Sequence, residues 1–422
     1  MTLCCWNHNH SAFLRGKNLY TMTVSGAHPS TLLLGALTAM TALSIDMSLP
    51  ALPQLRHLFH AGAAQAQLTL TLFLVGYAIS QIFCGPLSDA RGRKPVLLWG
   101  ILLFTLGGIG CALSPSLPIL IAFRFLQGLG AGVGPVLSRA LVRDTYDRTE
   151  ATVVFSHITQ VMIVAPIIAP TIGGALLTHV GWPAIFVLLA IAGAALWFAV
   201  KRGIQEPDHA GLTVLTPAEL LARYKLFLGN PTCVANMLIF CFAYAGLFAY
   251  VAGSPFVLME VFGIPKAQFG VYFAITAVAL LCGATLNKTL VRRQYSHAAL
   301  LRLGVATVTA SGALLFAASW LHWGGVAWVI VPMMGYLFGI GVTSPHAMAA
   351  AMEPYPQMAG VTSSLIGSLQ TAGGGLAGAL VAAFYTHTTQ SLGVVVLTAV
   401  AGMLLSFAWT VTHARKSIEA VA

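Results

Sequence analysis

The sequence predicts an all-α polytopic membrane protein of twelve transmembrane helices in two pseudo-symmetric six-helix halves, with both termini cytoplasmic. Three observations predict it. The 422 residues are 58% hydrophobic and only 8% charged, against roughly a quarter charged in an ordinary soluble domain. Mostly apolar runs, each near the ~20 residues that cross a bilayer as a helix, follow one another twelve times. The basic residues gather on alternate connections between those runs, as expected of loops kept in the cytoplasm.

The runs, in order, are 31–52, 66–86, 95–113, 118–138, 152–177, 182–200, 231–252, 267–287, 298–320, 324–345, 358–384 and 392–411. A cytoplasmic tail, 1–30, precedes the N-terminal half, 31–200. The longest polar interval, 201–230, is a central cytoplasmic loop, and the C-terminal half, 231–411, ends in a tail at 412–422. With the N-terminus inside, 18 of the 21 Lys and Arg residues fall on inner connections and tails, only Arg56 and Lys266 fall outside, and Arg124 is left within a run. The basic excess therefore faces a membrane surface and does not mark nucleic-acid binding. The first run is long enough to span and lacks a small-residue cleavage site, so no cleavable signal peptide is read; Met22 is an alternative start. The seven cysteines, Cys4, Cys5, Cys84, Cys111, Cys233, Cys241 and Cys282, show neither disulfide nor zinc spacing. The opening Cys4-Cys-Trp-Asn-His-Asn-His10 reads as a flexible tail rather than a metal site.

A faint repeat supports two halves. Cys84-Gly-Pro-Leu-Ser-Asp89 after the second run is echoed by Cys282-Gly-Ala-Thr-Leu-Asn287 after the eighth, each followed by basic residues. Transporters built from parallel repeats show this kind of symmetry and bind their solutes at the repeat interface. Small residues, as in Gly128-Leu-Gly-Ala-Gly-Val-Gly-Pro135 and Gly373-Gly-Gly-Leu-Ala-Gly378, let helix backbones approach in lipid. Pro135, Pro166, Pro170, Pro255 and Pro332 interrupt helical hydrogen bonding and are candidate flex points.

Only one acid, Asp46, and one base, Arg124, lie well within a run. Counted at 1.5 Å per residue, Asp46 sits about 10 Å, and Arg124 about 9 Å, below the outer surface. An ionised Asp at a helix centre costs roughly 2.5–3.5 kcal/mol, so such residues face a partner or an aqueous cavity. Burial and a neighbouring cation act on a carboxylate's hold on its proton in opposite senses. Asp46 beside Arg124 is thus expected to load and unload protons, or to hold cationic cargo; a purely structural ion pair is the alternative.

The connection after the second run, Gly85-Pro-Leu-Ser-Asp-Ala-Arg-Gly-Arg-Lys-Pro95, combines two turn-forming glycines with Asp89, able to face the positive end of a helix, and with Arg91, Arg93 and Lys94 for the headgroups. It resembles the signature G-x-L-x-D-x-x-G-R-K of the major facilitator superfamily. Arg124-Phe-Leu-Gln-Gly is similar to that family's R-x-x-Q-G motif, and Ala165-Pro-Ile-Ile-Ala-Pro-Thr-Ile-Gly-Gly174 to its drug-exporter motif, with Ala169 where Gly is usual. Ile45-Asp-Met-Ser-Leu-Pro-Ala-Leu-Pro53, Val142-Arg-Asp-Thr-Tyr-Asp-Arg148 and Ala359-Gly-Val-Thr-Ser-Ser-Leu-Ile-Gly367 resemble the Bcr/CflA drug:proton antiporters, which include bicyclomycin and chloramphenicol/florfenicol exporters. The resemblance runs from about residue 31 through nearly the whole chain. It implies efflux of small drugs across a bacterial inner membrane, driven by the proton motive force, with Asp46 as the protonation and substrate-responsive site and Arg124 as its modulating cation. It further implies a cytoplasmic gate of Asp89, Arg93 and Asp144, with Gly85 and Gly92 in the same gate segment, that stabilises the outward-facing state by bracing one half against the other, and an export motif working through Pro166, Pro170, Gly173 and Gly174.

Runs 1, 2, 4 and 5 of one half and 7, 8, 10 and 11 of the other are expected to line the cavity. Tyr77, Gln81 and Gln127 offer polar groups there. Phe240, Tyr244 and Phe248 share a helix face, turned either to the cavity or to a neighbouring helix. A mostly apolar pocket suits amphiphilic drugs better than sugars. The chain has no His-Glu-x-x-His, Gly-x-Ser-x-Gly or phosphate-binding Gly-rich loop with Lys, so it reads as no enzyme, with protons rather than ATP as the energy source and no cofactor. A monomer is expected. Export or import of a small metabolite on the same fold is the alternative, and a sensor or membrane enzyme a more distant one.

Overall fold

Residues 29–206 and 217–419 are described by a computed structural model. The tail at 1–28, with its Cys-Cys start and Met22, the loop 207–216 and the end 420–422 lie outside the described residues. Among the described residues every regular element is helical. Among the described residues twelve helices are long and apolar enough to span a membrane: span 1 Thr31–Leu58, span 2 Ala63–Arg91, span 3 Arg93–Ala112, span 4 Leu117–Thr145, span 5 Val153–His179, span 6 Pro183–Gly203, span 7 Pro231–Val261, span 8 Lys266–Arg292, span 9 His297–Trp320, span 10 Ala327–Met352, span 11 Gly360–Ala383 and span 12 Gln390–Thr412. A linking helix, Pro217–Leu228, stands between spans 6 and 7 and packs on spans 7 and 11.

Several spans outrun the hydrophobic runs that predict them, and spans 1 and 7 do so through proline. Span 1 continues past 52 by a 3-10 turn, Leu49–Ala51, that places Pro50 and Pro53 at the starts of new helical segments, where a missing N–H costs little. Span 7 continues past 252 because Pro255 is followed by a π-helical turn, Phe256–Val261. A change of helical pitch gives the carbonyls freed by proline new partners. The extension brings Glu260 into the end of span 7.

Span 1 is the most enclosed, 72% buried over its apolar window, and spans 6 and 9 the least at 33% each; span 1 therefore belongs to the interior and the other two to the lipid-facing wall. The N-terminal six spans meet the C-terminal six chiefly where span 2 packs on span 11 and span 5 on span 8. At one end of the bundle Arg91, Lys94, Arg139, Arg143, Lys201, Arg202 and Lys225 stand at the surface; this is the basic face. At the opposite face the halves are fastened. Arg56 Nη1 of span 1 donates to Glu260 Oε2 of span 7 at 2.6 Å, the Tyr385 hydroxyl donates to the same oxygen at 3.1 Å, and His387 lies 3.3 Å from Arg56. Burial first, and the Glu260 carboxylate second, raise the Tyr385 phenol above its ordinary value, which keeps it a donor. At the basic face the same halves are parted by a cavity of about 490 Å³.

Candidate functional site

Ser44 and Ser48 are one helical turn apart and so lie on one side of span 1. Arg124, reaching over from span 4, binds that side: Nη1 donates to Ser44 Oγ at 3.0 Å, and Nη2 to Ser48 Oγ at 3.3 Å and to the Ser44 carbonyl at 3.4 Å. Its Nε donates to the Thr69 carbonyl at 3.2 Å and Nη1 also to Gln127 Oε1 at 2.7 Å. The guanidinium carbon lies 4.2 Å from the Phe73 ring centre and 5.6 Å from that of Phe186. All three guanidinium nitrogens have acceptors, and aromatic faces supply further cation stabilisation. Arg124 is 1% exposed, and this shell explains how it stays buried.

Asp46 shares that level but not that side. Two residues from each serine, it is rotated some 200° about the helix, and among the described residues no hydrogen bond or ion pair joins it to Arg124 or to any other group. The expected pairing of carboxylate and guanidinium is not made: among the described residues Arg124 spends its span 1 donors on the serine side, two residues round the helix from Asp46. Asp46 is 5% exposed. Gly173 of span 5 is pressed against the next residue, since a Cβ there would come within 2.2 Å of the Met47 carbonyl oxygen. At its neighbour Gly174, a Cβ would lie 2.5 Å from the carbonyl of Lys266 in span 8. Both glycines of the export motif are therefore backbone contacts, one within the N-terminal half and one across to the other. Pro166 and Pro170 lie in the same continuous helix, with Pro170 buried.

Of the polar candidates, Gln127 is spent on Arg124, although its Nε2 has no partner among the described residues. Tyr77 has Gln81 and Thr41 beside its hydroxyl, and Gln81 Oε1 is 2.7 Å from the place a Cβ would occupy at Gly367 of span 11. Gln81 thus reaches the other half. The aromatic stripe divides. Phe240 and Tyr244 pair at 4.8 Å between ring centres, and Tyr244 faces Ser344 of span 10. Phe248 fills the notch left by Gly374 of span 11, where a Cβ would come within 2.6 Å of its ring; it serves helix packing.

At the basic face Arg93 is 1% exposed and ion-pairs with Asp89, while its Nε donates to Asp144 Oδ2 at 2.9 Å and its Nη1 to Ser88 Oγ at 2.6 Å. The predicted cluster is assembled, but every member belongs to the N-terminal half; among the described residues no ion pair carries it to the other half, and Gly85 lines the cavity that parts them. The start of span 3 is capped by a residue the sequence analysis passed over. Glu206, just after span 6, accepts from the Arg93 amide at 2.6 Å and the Lys94 amide at 2.8 Å. A carboxylate at a helix N-terminus satisfies unpaired N–H groups and the local dipole, the part expected of Asp89. Gly92 makes this possible: its φ is +97°, and a Cβ would stand 2.9 Å from Glu206 Oε1. In the C-terminal half the corresponding place holds an amide and two imidazoles. Asn287 of span 8 lies 2.7 Å from His346 Nε2 of span 10, whose Nδ1 lies 3.0 Å from Nδ1 of His297 at the start of span 9.

The two halves, the repeated cluster and the paired backbone contacts agree with what sequence comparison finds, a match to the Major Facilitator Superfamily over residues 34–379. The chain belongs to the major facilitator superfamily. Superfamily relatives include an uncharacterized MFS-type transporter, YdgK, of Bacillus subtilis, 35% identical over 90% of this chain and 94% of its own. A bicyclomycin resistance protein homolog of Haemophilus influenzae is 32% identical over 86% and 90%, and multidrug resistance protein D of Escherichia coli 31% identical over 92% and 96%. The superfamily fold is shared with a D-xylose-proton symporter, at a TM-score of 0.70 and 16% identity over 88% of this chain and 96% of that one. An inward-facing bacterial homolog of the human lysosomal transporter Spinster matches at 0.66 and 16%, over 91% and 96%. As a superfamily member with bacterial multidrug-resistance relatives, the protein is a multi-pass transporter of a bacterial inner membrane, not an enzyme.

Proposed function

We propose that the protein exports small amphiphilic drugs in exchange for protons by alternating access, as a monomer, with the basic face and both termini in the cytoplasm, Asp46 as the proton site and no cofactor. The observation that carries this reading is the unpartnered burial of Asp46 one side of span 1 from a fully engaged Arg124. Burying an ionised carboxylate without a partner is costly. Carrying its proton, the acid rests easily in such a place; without it, the acid needs water or a cationic group of the cargo. A site of that kind favours one protonation state in each direction of access. Arg124 acts by fixing the serine side of span 1 and thereby the direction in which Asp46 points. Tyr77, Gln81, Phe240 and Tyr244 are the side chains placed to meet an amphiphile. Relatives named for bicyclomycin and multidrug resistance support drugs as cargo, and the fastened outer face with a parted basic face fits a state that loads from the cytoplasm.

The test is flux in proteoliposomes with chloramphenicol as the probe. An imposed proton gradient is expected to drive drug against it in the wild-type protein, with protons moving the opposite way. Asp46→Asn is expected to retain drug binding and lose gradient-driven transport. Drug and proton moving in the same direction would identify a symporter, and undiminished efflux by Asp46→Asn would remove this residue from the coupling.

A further inference from the structure

The cavity at the basic face has a composition that drug export does not require. Span 4 supplies Arg139 and Arg143, the linking helix supplies Arg223 and Tyr224, and the first turns of span 11 supply Ser363 and Ser364. Arg139 and Arg223 have no ion-pair partner among the described residues, and Arg143 has one long contact, Nε to Asp144 at 3.6 Å. Arg143 also reaches to within 3.5 Å of where a Cβ would stand at Gly360, at the start of span 11. The one carboxylate in the wall, Asp89, is already held by Arg93. Three guanidinium groups thus line about 490 Å³, and among the described residues their only carboxylate contact is the long one from Arg143 to Asp144. Burial raises the Tyr224 phenol above its ordinary value, so it adds a neutral O–H donor.

We propose that this cavity binds a phosphate group, clasped by Arg139, Arg143 and Arg223 against the first turns of span 11. The guanidinium fork matches a phosphate's oxygens two at a time, and the hydroxyls complete the donor set. The place is at the bundle's end, where either the headgroup of an anionic phospholipid or a free phosphate reaches it. A bound phosphate ties span 4, the linking helix and span 11 together, and so fixes the width of the opening between the halves. The proposal is independent of which solute crosses the membrane.

The experiment uses the full-length protein in nanodiscs of phosphatidylcholine and reads the thermal unfolding midpoint. One arm titrates inorganic phosphate against chloride at matched ionic strength; the other replaces part of the lipid by phosphatidylglycerol. Saturable stabilisation is expected in at least one arm, and the arm that responds names the source. Each Arg→Gln change at 139, 143 or 223 is expected to weaken the apparent affinity roughly five-fold, on about 1 kcal/mol per basic residue near an anionic surface, and the triple variant to abolish the response. Arg223→Gln alone, on a helix outside the bundle core, keeps the test valid where the triple variant does not fold. No stabilisation in either arm overturns the proposal. So does an equal loss in Arg292→Gln, which removes the same charge outside the cavity.

Discussion

The two halves solve the same local problem with different chemistry. Where span 2 gives way to span 3, the N-terminal half buries a guanidinium between two carboxylates and caps the next helix with a third, Glu206. Where span 8 gives way to span 9, the C-terminal half sets Asn287, His346 and His297 in a row of hydrogen bonds. The tautomers follow from the geometry. His346 donates through Nε2 to the Asn287 carbonyl oxygen, so its Nδ1 accepts from Nδ1–H of His297. The difference teaches that this scaffold needs a satisfied polar knot at the crossing but not a charged one. The N-terminal knot is held by ion pairs, whereas the C-terminal knot is held by hydrogen bonds between an amide and two imidazoles.

The largest way to break the comparison is Arg93→Met, which leaves Asp89 without its cation and Asp144 with only the long contact to Arg143. A loss of about 3–5 kcal/mol is expected, the usual consequence of orphaning one side of a buried pair, read as a fall in the thermal midpoint in nanodiscs. Replacing His346 by Phe should cost clearly less, and an equal cost would erase the distinction between the knots. Next is Arg124→Lys. The ammonium keeps the charge but cannot reach both serines, Thr69 and Gln127 together, so efflux is expected to fall at least ten-fold, on about 1.5–3 kcal/mol per lost charge-assisted bond, with Asp46 unchanged in sequence. Wild-type flux in that variant would reduce Arg124 to a bare charge. Asn287→Asp sharpens the contrast from the other side. The new carboxylate is buried and needs a protonated imidazole beside it, so the variant is expected to be less stable at pH 8 than at pH 6; a midpoint independent of pH would show that no such pair forms. The smallest expected effect is that of Glu206→Gln, roughly 0.5–1 kcal/mol for the lost charge at the helix start, checked by denaturation at low and high salt.

Most of the architecture could be read from the sequence because lipid leaves little choice: a run of apolar residues of the right length has to be a helix. The motif from Gly85 to Pro95 likewise announced Asp89 and Arg93 through fixed local spacing. What escaped was contact between residues far apart. Glu206 caps an amide 113 positions earlier, and Arg56 meets Glu260 204 positions on; no periodicity encodes either. Glu260 was further hidden because the apolar run stops at 252, ahead of Pro255, while a π-helical turn carries the helix past both. The pairing assumed for Asp46 and Arg124 failed for a different reason. Depth can be counted along a sequence, whereas the side of a helix that a partner approaches depends on neighbours, and here Ser44 and Ser48 claimed the guanidinium.

Span 5 touches the chain beside Asp46 through Gly173 and the opposite half through Gly174, each time with bare backbone on backbone. Two consecutive bearing surfaces on one rod cannot be adjusted separately. Under the proposed alternating access, this helix has to glide over both at once, so a displacement begun near the carboxylate is passed to span 8 by backbone contact.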